Sequence, residues 1–158
     1  MQKQSAPYRE RLAPSLWTLV AAAMLAPMGA LVLVPVDATL SLVVGLALAV
    51  VVITGLIAAS PVVDVRAGTL RAGRAQIESK WLGAPVAHTG DAARRARGAE
   101  IDGNGWHLIR GGIPGLVVVP VQDPEDPVTS WTISTRTPDR LAAAIERARA
   151  TTPRSRDR

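Results

Sequence analysis

Residues 12–61 read LAPSLWTLVAAAMLAPMGALVLVPVDATLSLVVGLALAVVVITGLIAASP and contain one ionisable residue, Asp37. Residues 16–36 form a run of 21 uncharged residues, and residues 38–59 form another of 22. A helix needs about 20 apolar residues to cross a hydrocarbon core about 30 Å thick. Pro35 breaks helices and a charge at mid-helix is costly in lipid, so we expect a turn near Asp37. The stretch predicts a transmembrane α-helical hairpin over residues 16–60, with spans 16–36 and 38–59.

The charges beside the two spans indicate their orientation. Three basic residues precede the first span: Lys3, Arg9 and Arg11. Four follow the second span: Arg66, Arg71, Arg74 and Lys80. Basic residues near span ends are retained on the cytoplasmic side, and acidic residues such as Asp37 in the loop count for little. We therefore expect a multi-pass protein of the cytoplasmic membrane with both termini in the cytoplasm.

A cleaved signal peptide is the alternative interpretation of the first span. Basic residues precede it, and residues 21–30 are rich in small side chains. The apolar core of a signal peptide is typically about 7 to 15 residues long, whereas this run continues to the turn at Pro35. We therefore favour an uncleaved span, since cleavage would leave one anchor and change the expected side of the domain.

The composition limits the function of the rest of the chain. At 158 residues there is room for the hairpin and one domain. The absence of cysteine excludes disulfides, zinc–thiolate sites and cysteine nucleophiles. The net charge is +5, but the basic residues are scattered and aromatic residues are few, which argues against nucleic-acid binding. We expect a cytoplasmic segment at 1–15, a domain at 61–150 and a disordered basic tail at 151–158.

Short β-prone segments separated by glycine fill most of residues 61–135. Val63 and Val65 alternate with polar residues, and residues 116–121 are apolar on both faces, which is typical of a central strand. Residues 89–104 are polar and predict a loop with one helical turn. Thr137 and Pro138 suit a helix start, and the apolar spacing that follows predicts an amphipathic helix over 138–150. The predicted fold is a small α+β domain, an antiparallel β-barrel or sandwich closed by the C-terminal helix, as in pleckstrin-homology-like domains.

Residues 126–138 read DPVTSWTISTRTP, and residues 8–12 read YRERL. These strings resemble a family of actinobacterial membrane proteins known as domain of unknown function 3093. Its pattern is approximately Asp-Pro-x-x-Tyr-Trp-x-x-Ser-Thr-Arg-x-Pro, from which Ser130 departs at the aromatic position. The resemblance covers nearly the whole chain and implies an integral membrane protein of unassigned biochemistry. The matching residues singled out as structural candidates are Asp126, Pro127, Trp131, Ser134, Thr135, Arg136 and Pro138.

No arrangement of residues in the sequence predicts a catalytic, cofactor or metal site. His88 and His107 lack acidic residues at ligand spacing, and neither a nucleophile elbow nor a phosphate-binding glycine motif is present. Asp123 and Asp126 belong to two Asp-Pro turns, a common scaffold. We expect Arg136 to form a salt bridge with Asp123 or Asp126, with ligand binding as the alternative.

The preferred interpretation is a membrane-tethered interaction module. Its expected partners are the lipid bilayer and either a protein partner or another copy of the chain, with no nucleic acid and no cofactor. Three arginines beyond the second span are candidates for contact with anionic headgroups: Arg66, Arg71 and Arg74. The alternative is an enzyme or enzyme subunit with a site in residues 123–136. A concave pocket there would favour the enzyme, and a packed corner would remove its best site.

Overall fold

A computed structural model describes residues 7–33, 35 and 37–151. The chain forms two compact units, one of Met1–Leu12 with Pro61–Arg158 and one of Ala13–Ser60. We call these the sheet unit and the helical unit. The predicted tail at 151–158 lies outside the described residues except for Thr151, which ends a helix.

The helical unit consists of α1, Leu16–Leu33, and α2, Ala38–Ala58. Asp37 begins α2, and its carboxylate accepts a hydrogen bond of 2.8 Å from the Leu40 amide. The two helices pack closely where Gly45 faces α1. A Cβ at Gly45 would lie 2.8 Å from the Cβ of Ala30 and 3.1 Å from the carbonyl oxygen of Ala26. Small residues therefore permit the close approach of the two helices.

Only α2, within the described part of the chain, has both the length and the hydropathy to cross a membrane. It has 21 residues, and α1 is a shorter apolar helix. Residues 34 and 36, at the end of the predicted first span, lie outside the description. One membrane-crossing helix is thus consistent with the length and composition of the chain, and the two-span topology stays a prediction.

The first sheet of the sheet unit is antiparallel, with strand order β1-β2-β3-β4. Its strands are β1 Tyr8–Arg11, β2 Val62–Arg66, β3 Thr69–Ala72 and β4 Ala75–Glu78. The β2–β3 turn consists of Ala67 and Gly68, with φ of 47° and 76°. Positive φ at both turn residues is the mark of a tight hairpin turn whose twist matches its strands.

Strand β1 lies within residues 1–15, where the sequence analysis predicted no strand. It pairs with β2 along its whole length, from Tyr8 opposite Val65 to Arg11 opposite Val62. The inward side chains of β1 are Tyr8 and Glu10 rather than aliphatic residues. A search for alternating apolar residues misses such a strand because its inward positions carry polar groups.

The second sheet has strand order β5-β7-β8-β6. Its strands are β5 Val86–His88, β6 Trp106–Leu108, β7 Gly115–Pro120 and β8 Ser130–Thr135. Strand β6 runs parallel to β8, and the other pairs are antiparallel. Neither sheet closes into a barrel within the described residues, so the predicted barrel is corrected to two open sheets of an α+β fold. The parallel pair depends on a long-range contact that local alternation does not reveal.

Two helices accompany the sheets. The loop predicted at 89–104 contains α3, Gly90–Ala96, a helix of seven residues. The predicted C-terminal helix is confirmed as α4, Pro138–Thr151, with Leu141, Ile145 and Ala148 buried. The main core joins α4 to both sheets, with buried side chains Val63, Val65, Leu70, Ile77, Val117, Val119, Ile133, Leu141 and Ile145.

Candidate functional site

Two distant segments of the sheet unit meet at the carboxylate of Glu10. Tyr8 donates a hydrogen bond of 2.7 Å to Glu10 Oε2, and the Thr135 hydroxyl donates to the same oxygen. The Arg136 amide donates to Glu10 Oε1 at 2.9 Å. The Glu10 side chain is 14% exposed, so water has little access to compete for these bonds. We call Tyr8, Glu10, Thr135, Arg136 and Thr137 the Glu10 cluster.

Arg136 pairs with Glu10 rather than with an acid of the Asp-Pro turns, so the predicted salt bridge is wrong. Its Nη1 lies 3.8 Å from Glu10 Oε1 and donates to the Arg11 carbonyl at 3.4 Å. Asp123 and Asp126 instead accept hydrogen bonds of 3.0 and 2.9 Å from backbone amides two residues further on. Each carboxylate stabilises its own turn, which is the common use of Asp before proline.

The Tyr8 hydroxyl occupies the centre of the cluster. It lies 2.9 Å from the Thr137 hydroxyl and 3.1 Å from the Thr135 hydroxyl, in addition to its bond to Glu10. Burial raises the pKa of Tyr8 above 10.0, and the negative charge of Glu10 acts in the same direction. Hydrogen bonding of the Tyr8 hydroxyl with the Thr135 and Thr137 hydroxyls partly opposes that rise in pKa. Tyr8 therefore stays a neutral donor under ordinary conditions.

The other singled-out residues of 126–138 serve the strand-to-helix corner. Trp131 is 4% exposed and packs against Trp106 with ring centroids 4.7 Å apart. The Ser134 hydroxyl is buried and accepts a hydrogen bond of 3.0 Å from the Arg110 amide. Pro138 begins α4 and packs on Gly115, where a Cβ would lie 3.0 Å from its ring. Pro127 is exposed in the turn.

A groove of about 450 Å³ lies beside the Glu10 cluster. It runs between the start of β1 and the first turns of α4, and it is lined by Pro7, Tyr8, Asp139, Arg140, Ala143 and Arg147. The lining combines a tyrosine ring, two cations and one carboxylate.

A second carboxylate, that of Asp102, joins the loop before β6 to the start of β8. Asp102 Oδ2 accepts hydrogen bonds from the hydroxyls of Thr129 and, at 2.7 Å, Ser130. These bonds lower the pKa of Asp102 below 3.8. Ser130 thus donates to a carboxylate rather than to an imidazole, which differs from the nucleophile–histidine arrangement of hydrolases. The described residues contain no group of three side chains suited to a metal ion.

The three predicted lipid-facing arginines all belong to the first sheet and are exposed. Arg66 Nε lies 2.9 Å from Asp64 Oδ1, whereas Arg71 and Arg74 lie in β3 and the β3–β4 turn. The pairing of β1 with β2 adds Arg9 and Arg11, which the sequence analysis used only for topology. Alternation within YRER places both on the face opposite Tyr8 and Glu10.

The two strings that meet at Glu10 are the same strings that resembled a known family. A family model described as "Protein of unknown function (DUF3093)" matches residues 7–145 of the chain. The protein belongs to this family. Neither the curated proteins nor the solved structures contain a match to this DUF3093 protein. The residues matched by the DUF3093 model include β1, α1, α2 and the β8–α4 corner.

Proposed function

We propose that this DUF3093 protein is a membrane-tethered interaction module, with α1 and α2 as the anchor and the sheet unit as the module. The exposed apolar surface of the helical unit carries this proposal. Its large side chains include Trp17, Leu42, Leu46 and Val51, with exposed fractions of 82%, 73%, 69% and 68%. Soluble monomers rarely expose contiguous apolar patches above a few hundred Å².

Transfer of these side chains from water to hydrocarbon is favourable by about 25 cal/mol for each Å² of apolar surface. Neither α1 nor α2 contains Asp, Glu, Lys, Arg or His, so no charged side chain opposes insertion of these two helices. Backbone polar groups within a helix are satisfied internally, as a lipid environment requires. Both spans and cytoplasmic termini are part of the proposal, based on the basic residues that flank the hairpin.

The module role of the sheet unit is supported by how its polar groups are used. Asp123 and Asp126 accept hydrogen bonds from backbone amides of their own turns, and Trp131, Ser134 and Pro138 pack the β8–α4 corner. A packed corner leaves the enzyme interpretation without its best site. The groove beside Tyr8 and α4 offers exposed polar side chains to a partner.

Cysteine labelling tests the anchor and its orientation. The chain has no cysteine, so one introduced cysteine is a unique reporter. We expect Thr39→Cys, in the first turn of α2, to react with an impermeant maleimide in intact cells, and Gln76→Cys, in β4, to react only after lysis. Carbonate extraction should leave both variants in the membrane pellet. Release of the protein by carbonate, or labelling of Gln76→Cys in intact cells, would contradict the proposal.

A further inference from the structure

The outer face of the first sheet is rich in arginine. Residues that alternate away from the core include Arg9, Arg11, Arg66 and Arg71, and Arg74 lies in the β3–β4 turn. The face also carries two acids, which are paired with other cations. Asp64 lies 2.9 Å from Arg66, and Glu78 lies 2.8 Å from Lys80.

Arg66 belongs to one of these two ion pairs, and the four other arginines belong to neither: Arg9, Arg11, Arg71 and Arg74. No ion pair involves any of the four in the part of the chain that the structure describes. A cluster of guanidinium groups without carboxylate partners is suited to phosphate groups, which accept paired N–H bonds. We call these four residues the arginine rim.

The strand register places the rim toward one end of the sheet. Arg11 pairs with Val62, and the Gly73 amide donates to the Val62 carbonyl at 2.9 Å, so the turn with Arg74 lies at that end. Arg9 and Arg71 both flank Asp64 one row further along. At about 3.4 Å per residue, that row is about 7 Å from the end, and Arg66 is about 14 Å from it.

The same end of the sheet carries both connections to the helical unit. Arg11 precedes Leu16, the start of α1, by five residues, and Val62 follows Ala58, the end of α2, by four. A chain spans at most about 3.5 Å per residue, so these links reach about 17 and 14 Å. If the helices are the membrane anchor, the rim is held near the headgroups by the covalent chain itself.

We infer that the arginine rim binds anionic lipid headgroups, an inference that rests on the proposed membrane anchor. The surface potential of an anionic membrane decays over about 8 Å at physiological ionic strength. Arg11 and Arg74 therefore contribute most, Arg9 and Arg71 less, and Arg66 least, because it is furthest along the strand and paired with Asp64. Phosphate groups of the lipids are the ligand, and free protein partners are not required.

The test measures how strongly the full-length protein in lipid nanodiscs prefers spin-labelled phosphatidylglycerol over spin-labelled phosphatidylcholine. An arginine close to an anionic surface favours its lipids by up to about fivefold. We expect a preference of at least about threefold at about 0.05 M salt that falls toward one at about 0.5 M. Neutralising the rim with R9Q, R11Q, R71Q and R74Q together should abolish it.

A matched control removes two positive charges from α3, elsewhere in the sheet unit: R94Q and R95Q, the same charge change as in the double variant R11Q and R74Q. Both arginines are exposed, and we expect this control to retain the preference. Arg66→Gln should also retain it. The double variant R11Q and R74Q, with less change to the sheet, should lose more than half of the preference if the fourfold variant fails to fold.

Three results would overturn the inference: no lipid preference in the native protein, a preference that salt does not weaken, or an equal loss in the matched control. Failure of the protein to enter nanodiscs or cell membranes would instead contradict the proposed anchor. A protein that enters nanodiscs and shows no preference would leave the anchor intact and remove only the arginine rim as a lipid site.

Discussion

Removal of the Glu10 carboxylate should separate β1 from the β8–α4 corner. Glu10 accepts three hydrogen bonds, from Tyr8, Thr135 and the Arg136 amide. Bonds to a charged acceptor each contribute about 1.5 kcal/mol or more, so the three together contribute about 4.5 kcal/mol. The Tyr8 hydroxyl can turn to Thr137, which is 2.9 Å away, and recover about 1.5 kcal/mol. Glu10→Ala should therefore lower the free energy of unfolding by about 3 kcal/mol.

Glu10→Gln should lower the free energy of unfolding by only about 1 kcal/mol. The amide oxygen can still accept from the Arg136 amide, and the NH₂ group can donate to the hydroxyls of Thr135 and Tyr8, which also accept. The lost interaction is mainly the charge of the 3.8 Å pair with Arg136, whose side chain is 40% exposed. The comparison of the two variants separates hydrogen bonding from charge.

Urea unfolding in detergent, followed by tryptophan fluorescence, measures both variants. A Trp17→Phe background removes the tryptophan of α1 and leaves Trp81, Trp106 and Trp131 in the sheet unit. Glu78→Ala is the control, since the Glu78 side chain is 58% exposed and forms a surface ion pair with Lys80. The reasoning is refuted if Glu10→Ala costs no more than this control. An equal loss in Glu10→Gln and Glu10→Ala would show that charge, not hydrogen bonding, holds the cluster together.

Three further predictions concern packing and pH. Gly45→Ala should weaken the packing of α1 on α2 by about 1–3 kcal/mol, because the new Cβ meets α1. Gly55→Ala places its Cβ in open space and should leave the packing unchanged. Denaturation in SDS measures the stability of both variants. Gly115→Ala places a Cβ 2.5 Å from the Thr135 carbonyl oxygen and should lower the free energy of unfolding, measured in urea, by about 2 kcal/mol. Gly103→Ala, where the Cβ meets nothing, should leave it unchanged. The lowered pKa of Asp102 stabilises the fold above about pH 3.8, and this contribution is lost as pH falls through the folded value. Asp102→Asn should therefore show a smaller acid-induced drop in unfolding midpoint than the native chain.

Local sequence patterns predicted the elements whose signal is contained within the element itself. The C-terminal helix was predicted over 138–150 and found as Pro138–Thr151, because its start residues and apolar spacing are both local. The strand nature of residues 62–78 and 130–135 followed from alternation and glycine turns. The family resemblance from DPVTSWTISTRTP and YRERL was likewise confirmed.

The partners of polar side chains could not be predicted in the same way. Arg136 was assigned to an acid ten or thirteen residues away, but its partner is Glu10, 126 residues away. The local pattern shows carboxylates near Arg136, but it does not show that they accept hydrogen bonds from their own turns. It also does not show that the distant Glu10 forms the ion pair with Arg136. The two strings that resemble the family did indicate this contact, since YRERL contains Tyr8 and Glu10 and DPVTSWTISTRTP contains Thr135 and Arg136.

By itself the sequence determined that residues 12–61 contain two apolar helices, that the remainder is a small α+β domain and that basic residues flank the two helices. These properties depend on transfer free energy and local periodicity, which are readable along the chain. Only the tertiary structure decided that YRER is a sheet strand, that Glu10 joins it to the β8–α4 corner and that Arg9 lies across β2 from Arg71, with Asp64 between them. Those facts depend on strand pairing between residues far apart in sequence, because register brings together side chains that no local pattern connects.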